Sequence, residues 1–181
     1  MKSIFSLIAV LILPITLISQ DSNNDSSPIS IFVNYKLPKE ARKLSKAELV
    51  NKSNVSKEIK NNLKNKVKKG EYYDCDEIII FLNAVNGPTK LNHLQELKKG
   101  VDYLYKLGSG ITNYKSQIIK IKNNSFLLYS YNENNVGYSR FTSVNESHNI
   151  ALVGVLEYNL NKEEKAKKLL KEVLESISFK I

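Results

Sequence analysis

The densest group of reactive side chains in the middle of the chain is "DCDE", where Asp74, Cys75, Asp76 and Glu77 follow one another. Carboxylates two residues apart offer the oxygen ligands that a hard cation such as calcium takes. The glycine and the spacing of an EF-hand loop are missing, so a solvated strand start is the better reading. Cys75 is the single cysteine, which excludes an intrachain disulfide. Its carboxylate neighbours raise a thiol pKa and make the sulfur a poorer nucleophile, so a structural role is expected. His93 and His148 are the two histidines. With no HExxH pattern and no cysteine at ligand spacing, each is read as a surface or capping residue rather than a zinc ligand. Ser109 lies in "GSG" after a helical pattern. It lacks the strand–turn–helix setting of a nucleophile elbow, and no Lys-Ser or Lys-Thr follows to make a phosphate loop. No catalytic residue, cofactor or metal is therefore assigned.

Two binding surfaces remain. The segment "KEIKNNLKNKVKKG" places Lys57, Lys60, Lys64, Lys68 and Lys69 near one side of a helix. That is an anion-binding face, strongest at low salt, to be weighed against a plain solvated surface. Its apolar stripe of Val55, Ile59, Leu63 and Val67 is thin and lacks aromatics, which argues against membrane insertion. The late tyrosines Tyr114, Tyr129, Tyr131, Tyr138 and Tyr158 could line a cleft for a glycan or peptide, but packing of a sheet and its rim is the commoner use of such residues.

The elements that must hold these residues follow from spacing. A first strand is expected over 31–37, ended by Pro38. Ser45 and Glu48 have capping-box spacing and predict a short helix from Lys46. The run "EIIIFLNAV" (77–85) predicts a strand. Leu91, Leu94, Leu97, Val101, Leu104 and Tyr105 share a face of a helix over 89–107, with Thr89 as its cap. Strands are then predicted at 114–122, 125–131, 136–144 and 149–160. Their short polar links make a four-stranded antiparallel meander. Both faces of "IALVGVLEY" are apolar, so this strand is central and helices cover both sides, with Gly154 admitting a helix at close range. A final helix is expected after Asn161 as cap, with Ala166, Leu169, Leu170, Val173, Leu174 and Ile177 on its apolar face. The fold expected is α+β, a three-layer α/β/α sandwich around a mainly antiparallel sheet, closed by a C-terminal amphipathic helix.

This order, ending in a "GVLEY" strand, a Lys/Glu-rich helix and "SISFK", resembles the PsbP-like α/β/α sandwich over 31–181. It is especially similar to small exported proteins of unknown role from Bacteroidetes-type bacteria. The resemblance implies binding and assembly rather than catalysis. It carries no site residue, because no family site motif is present.

The start of the chain gives an address. Lys2 precedes an apolar run over 4–17 that is shorter than the ~20 residues of a membrane-spanning helix. Residues 1–19 are expected to be a cleaved signal, with Ser19 before the cut and Gln20 after it. Residues 20–30 are then a polar linker and 31–181 a single domain. No cysteine follows the apolar run, so a lipoprotein is not expected, and the protein is placed in the periplasm or outside the cell. Loss of Lys2 takes the net charge of +9 to +8. Such a charge suits acidic partners, anionic lipid or acidic glycan, and outside the cytoplasm it argues less for nucleic acid. The function expected is a non-enzymatic binding or accessory domain engaging a protein or envelope component. The alternatives are an envelope hydrolase with an unrecognised site, or a binder of anionic lipid or glycan through the basic helix.

Overall fold

The computed structural model describes residues 29–52, 70–86 and 89–180. The signal segment, most of the linker and the basic segment with Lys57, Lys60, Lys64, Lys68 and Lys69 lie outside the described residues.

The strands are β1 (Val33–Asn34), β2 (Arg42–Lys43), β3 (Glu71–Cys75), β4 (Ile78–Asn86), β5 (Ile111–Ile121), β6 (Asn124–Glu133), β7 (Val136–Val144), β8 (Ile150–Asn159) and β9 (Ser178–Phe179). The α-helices are α1 (Lys46–Asn51), α2 (His93–Leu107) and α3 (Glu163–Ser176). Among the described residues this is an α+β fold. One antiparallel sheet has the order β2-β3-β4-β8-β7-β6-β5, and a second consists of β1 and β9. Strands β5 to β8 form the meander that the short links predict. Strand β4 joins the far side of β8, which makes β8 an interior strand.

Register decides which side each residue serves. Leu82, Gly154, Phe141 and Leu128 lie in one row across β4, β8, β7 and β6. On this face Ile78, Ile80, Leu82, Leu152, Leu156, Phe126 and Phe141 form one core with Ala166, Leu169, Val173 and Leu174 of α3. On the other face Leu127, Tyr131 and Tyr138 pack with Leu94, Val101 and Tyr105 of α2. Leu49 of α1 packs there with Tyr72, Ile79, Phe81 and Val155.

The capping box at Ser45 is present, with Ser45 N donating to Glu48 Oε2 at 2.8 Å and Glu48 N to Ser45 Oγ at 3.3 Å. Other local expectations are corrected. Residues 31–37 are not one strand. Phe32 N donates to Ile29 O at 2.9 Å in a tight 3-10 turn, and only Val33–Asn34 then extends, pairing with β9 rather than the main sheet. Thr89 does not cap α2. Its hydroxyl and amide both donate to His148 O, at 3.0 and 2.6 Å, and the helix starts after Asn92. Asn161 does not cap α3 either, because it lies in a 3-10 turn, Leu160–Lys162, that winds directly into the helix. At Gly154 the close neighbour is not a helix. A Cβ there would collide with Cε1 and Cζ of Phe141, its cross-strand partner. Leu170 is half-buried at the margin of the core that Leu169 and Val173 fill.

Candidate functional site

Several sequence candidates are held in structural roles. Cys75 ends β3, buried in the α3-side core. Burial pushes its thiol pKa up, and Glu40, Asp76 and Asp74 add to this against the opposing charge of Lys165. Asp76 and Glu77, both at positive φ, are the two central residues of the β3–β4 hairpin turn, as a primed turn requires. Their carboxylates face lysines. Asp76 lies 2.6 Å from Lys165 and Glu77 2.7 Å from Lys162, while Asp74 pairs with Lys52 at 2.7 Å. Among the described residues no group of three or more His, Cys, Asp and Glu is placed to hold a metal. Ser109 is exposed in the turn from α2 to β5. His93 and His148 come near each other. Burial lowers the pKa of His93, Glu96 opposes this, and the charge of His148 reinforces it.

The tyrosine cluster divides. Tyr114, Tyr129, Tyr131 and Tyr138 lie on the α2 side with Tyr105, while Tyr158 faces α3, because Tyr138 pairs with Glu157 and the next residue turns over. Tyr105 is the hub, stacked on Tyr114 at 5.3 Å between centroids and tilted against Tyr131 at 4.5 Å. The Arg140 guanidinium lies 5.6 Å from the Tyr131 ring centre and 5.9 Å from that of Tyr138, within cation–π range.

Beside these rings lies a polar node that the residue patterns did not single out. Asp102 of α2 accepts from Lys98 Nζ at 2.6 Å, one turn earlier, and from Tyr114 OH at 2.7 Å. Ser116 Oγ donates to it as well. Burial works to raise the Asp102 carboxyl, but the bonds from Lys98, Ser116 and Tyr114 outweigh it and hold the pKa at about 2. Burial and the bond to Asp102 in turn push the Tyr114 phenol up. A signal did exist in the sequence: Lys98 and Asp102 are four apart on a helix, and Tyr114 and Ser116 two apart on a strand. A second node joins Tyr35 and Tyr73 to Glu71, with Tyr35 OH at 2.7 Å and Lys43 Nζ at 3.0 Å from the carboxylate. Burial works against ionisation of Glu71, and the donors from Tyr73, Tyr35 and Lys43 overcome it. Burial raises Tyr35 to about 12.

Both carboxyl groups are held below their ordinary pKa, which makes them weak bases, and their tyrosine donors are weak acids near neutral pH. The nodes act as fasteners, and that of Asp102 holds α2 to β5. The outward side of α2 is different in kind. Tyr103 is 68% exposed and Leu107, one turn on, 65%. Gly100 opens space beside them, and Lys99 and Lys106 lie exposed on the same side. No described helix is long and apolar enough to cross a membrane.

No protein-family model matches the chain, and no curated protein sequence does. Solved structures do. A Bacteroides thetaiotaomicron crystal structure is similar over 87% of this chain, with 10% identity and a TM-score of 0.48, and this chain spans 48% of that one. LpqN of Mycobacterium tuberculosis, described as involved in cell envelope biogenesis, is similar over 88% of this chain and 87% of its own, with 14% identity and a TM-score of 0.48. Cyanobacterial PsbP from Synechocystis is similar over 90% of this chain and 98% of its own, with 9% identity and a TM-score of 0.48. PsbP is thus among the solved structures that this chain is similar to.

Proposed function

We propose that this chain is an exported, non-enzymatic accessory domain that binds a protein partner of the cell envelope. The observation that carries the reading is the exposed Tyr103–Leu107 pair on α2, flanked by Lys99 and Lys106. Adjacent large apolar side chains on a rigid helix lose little entropy when covered, and the lysines favour an acidic surface around the contact. In the same reading residues 1–19 are removed on export, 20–30 form a linker, and 31–181 fold as a single domain. That domain is a three-layer α/β/α sandwich, supported by the separate cores that α3 and α2 make with opposite sheet faces.

The test compares wild type with a Tyr103→Ser/Leu107→Ser variant of matching circular dichroism, each used to recover partners from its own cell envelope. A specific partner retained by wild type and lost by the variant is the expected result. Equal recovery by both, or no specific partner, overturns the reading.

A further inference from the structure

We propose that the open edge of β5 receives an extended, acidic segment of a partner protein as an additional strand; this rests on the binding reading above. Strand β5 ends the seven-stranded sheet, and among the described residues no strand pairs with its outer side. The other end of the sheet is closed differently, by the two-residue β2. After an irregularity between Thr112 and Lys115, where Asn113 has φ 56°, the ladder from Lys115 to Ile121 is regular. Ile121 and Asn124 flank a two-residue turn. In such a hairpin the flanking pair is hydrogen-bonded and bonded pairs alternate. Gln117, Ile119 and Ile121 therefore bond inward to β6. Ser116, Ile118 and Lys120 direct their N–H and C=O groups to the open side. That is the row an incoming strand would use.

Side chains give the edge its selectivity. Ile119 and Ile121 are half-buried against the α3-side core, and Ile118 against the α2-side core. Each keeps surface that a neighbouring strand would cover on its own face of the sheet. The charged residues of β5 are Lys115 and Lys120, with no acidic residue. Among the described residues neither lysine is in an ion pair, and their cross-strand partners are Ser130 and Ser125. Lys115 shares the α3 side with Ile119 and Ile121, and Lys120 the α2 side with Ile118. Two such edges repel each other, which discourages pairing between copies, whereas a strand with two acidic residues five apart and β-branched residues between them satisfies both the lysines and the isoleucines. The node at Asp102 ties α2 to Tyr114 and Ser116 of this same strand. The exposed side of α2 and the open edge thus belong to one end of the sheet.

The probe is a fluorescein-labelled peptide with two Glu five residues apart and Val between them, added to the full chain. Controls are a Lys/Val peptide and Glu/Val peptides N-methylated along one edge or the other. Expected are saturable binding that weakens with salt, about tenfold or greater loss with Lys in place of Glu, and loss on methylation of one edge only. Amide exchange at Ser116, Ile118 and Lys120 should slow about tenfold or more in the complex. A Lys115→Glu/Lys120→Glu variant should invert the preference between the two peptides. Unchanged exchange at those amides, indifference to methylation, or dimers of the chain that protect them without peptide would each overturn the proposal. Undiminished recovery of an envelope partner by the Lys115→Glu/Lys120→Glu variant would overturn the edge site while leaving the binding reading intact.

Discussion

Asp102→Asn removes one charge and almost no volume, so it isolates what ionisation contributes to holding α2 on β5. Moving a carboxyl from 3.8 to about 2 corresponds to about 2.4 kcal/mol of stability at neutral pH. The side chain is 24% exposed, and water screens the charge. About half of that value, about 1.2 kcal/mol, is the expected loss at pH 7. The carboxyl is depressed in the folded protein. Its contribution is therefore complete above the ordinary value of 3.8 and fades as pH falls towards 2. At pH 2.5 about a third should remain, so the two proteins should differ by only about 0.4 kcal/mol. Urea unfolding followed by circular dichroism at both pH values reads this directly. At a slope of about 2 kcal/mol per molar, the midpoints should differ by about 0.6 M at pH 7. A gap of the same size at pH 2.5 would show that packing rather than charge is responsible. No gap at pH 7 would show that the node fastens nothing.

Burial separates two neighbours on α3. Val173→Asp places an unpaired charge in the core and should cost about 3 kcal/mol or more, whereas Leu170→Asp at the margin should cost about 1 kcal/mol; equal melting temperatures for the two variants would refute the orientation of α3. Gly154→Val should destabilise by about 1–3 kcal/mol through collision with the Phe141 ring, and Phe141→Leu in the same chain should recover part of that loss; an unchanged denaturant midpoint would remove the argument. Cys75 should resist a thiol reagent at pH 7 until denaturant is added, because the sulfur is buried and its pKa raised; rapid labelling of the folded protein would contradict both.

Local patterns make part of this fold legible in the residues themselves. Leu94, Val101 and Tyr105 repeat at helical spacing because one side of α2 must be dry, and β8 is apolar on both faces because both are covered. Ser45 and Glu48 announce α1 because a free helix amide has few partners within reach. What escapes such patterns is decided at long range. "EYYDC" is polar enough to pass for a loop, and it becomes β3 only because Ile78–Asn86 offers it a ladder. The β1–β9 pair joins residues too few to show any periodicity. Tyr158 parts from the other tyrosines through the register with β7, a quantity that no single strand contains. The Asp102 node is half visible, since Lys98 lies one turn away. Its other half needs the chain to reverse between α2 and β5.

The place of β8 in the sheet sets an order of events. Strands β3 and β4 form one group and β5 to β7 another, and among the described residues the two groups share no ladder except through β8. A chain emerging from its N-terminus can close the hairpins of each group early, since these contacts are local. It cannot join them until residues 150–159 have arrived, and α3, which covers the joint core, comes later still. Until then Ile78, Ile80, Phe126 and Phe141 have no shared core to enter. Folding should therefore be late and abrupt rather than progressive, and a chain halted before β8 should be held as two unjoined hairpin groups, open to proteases and to chaperones.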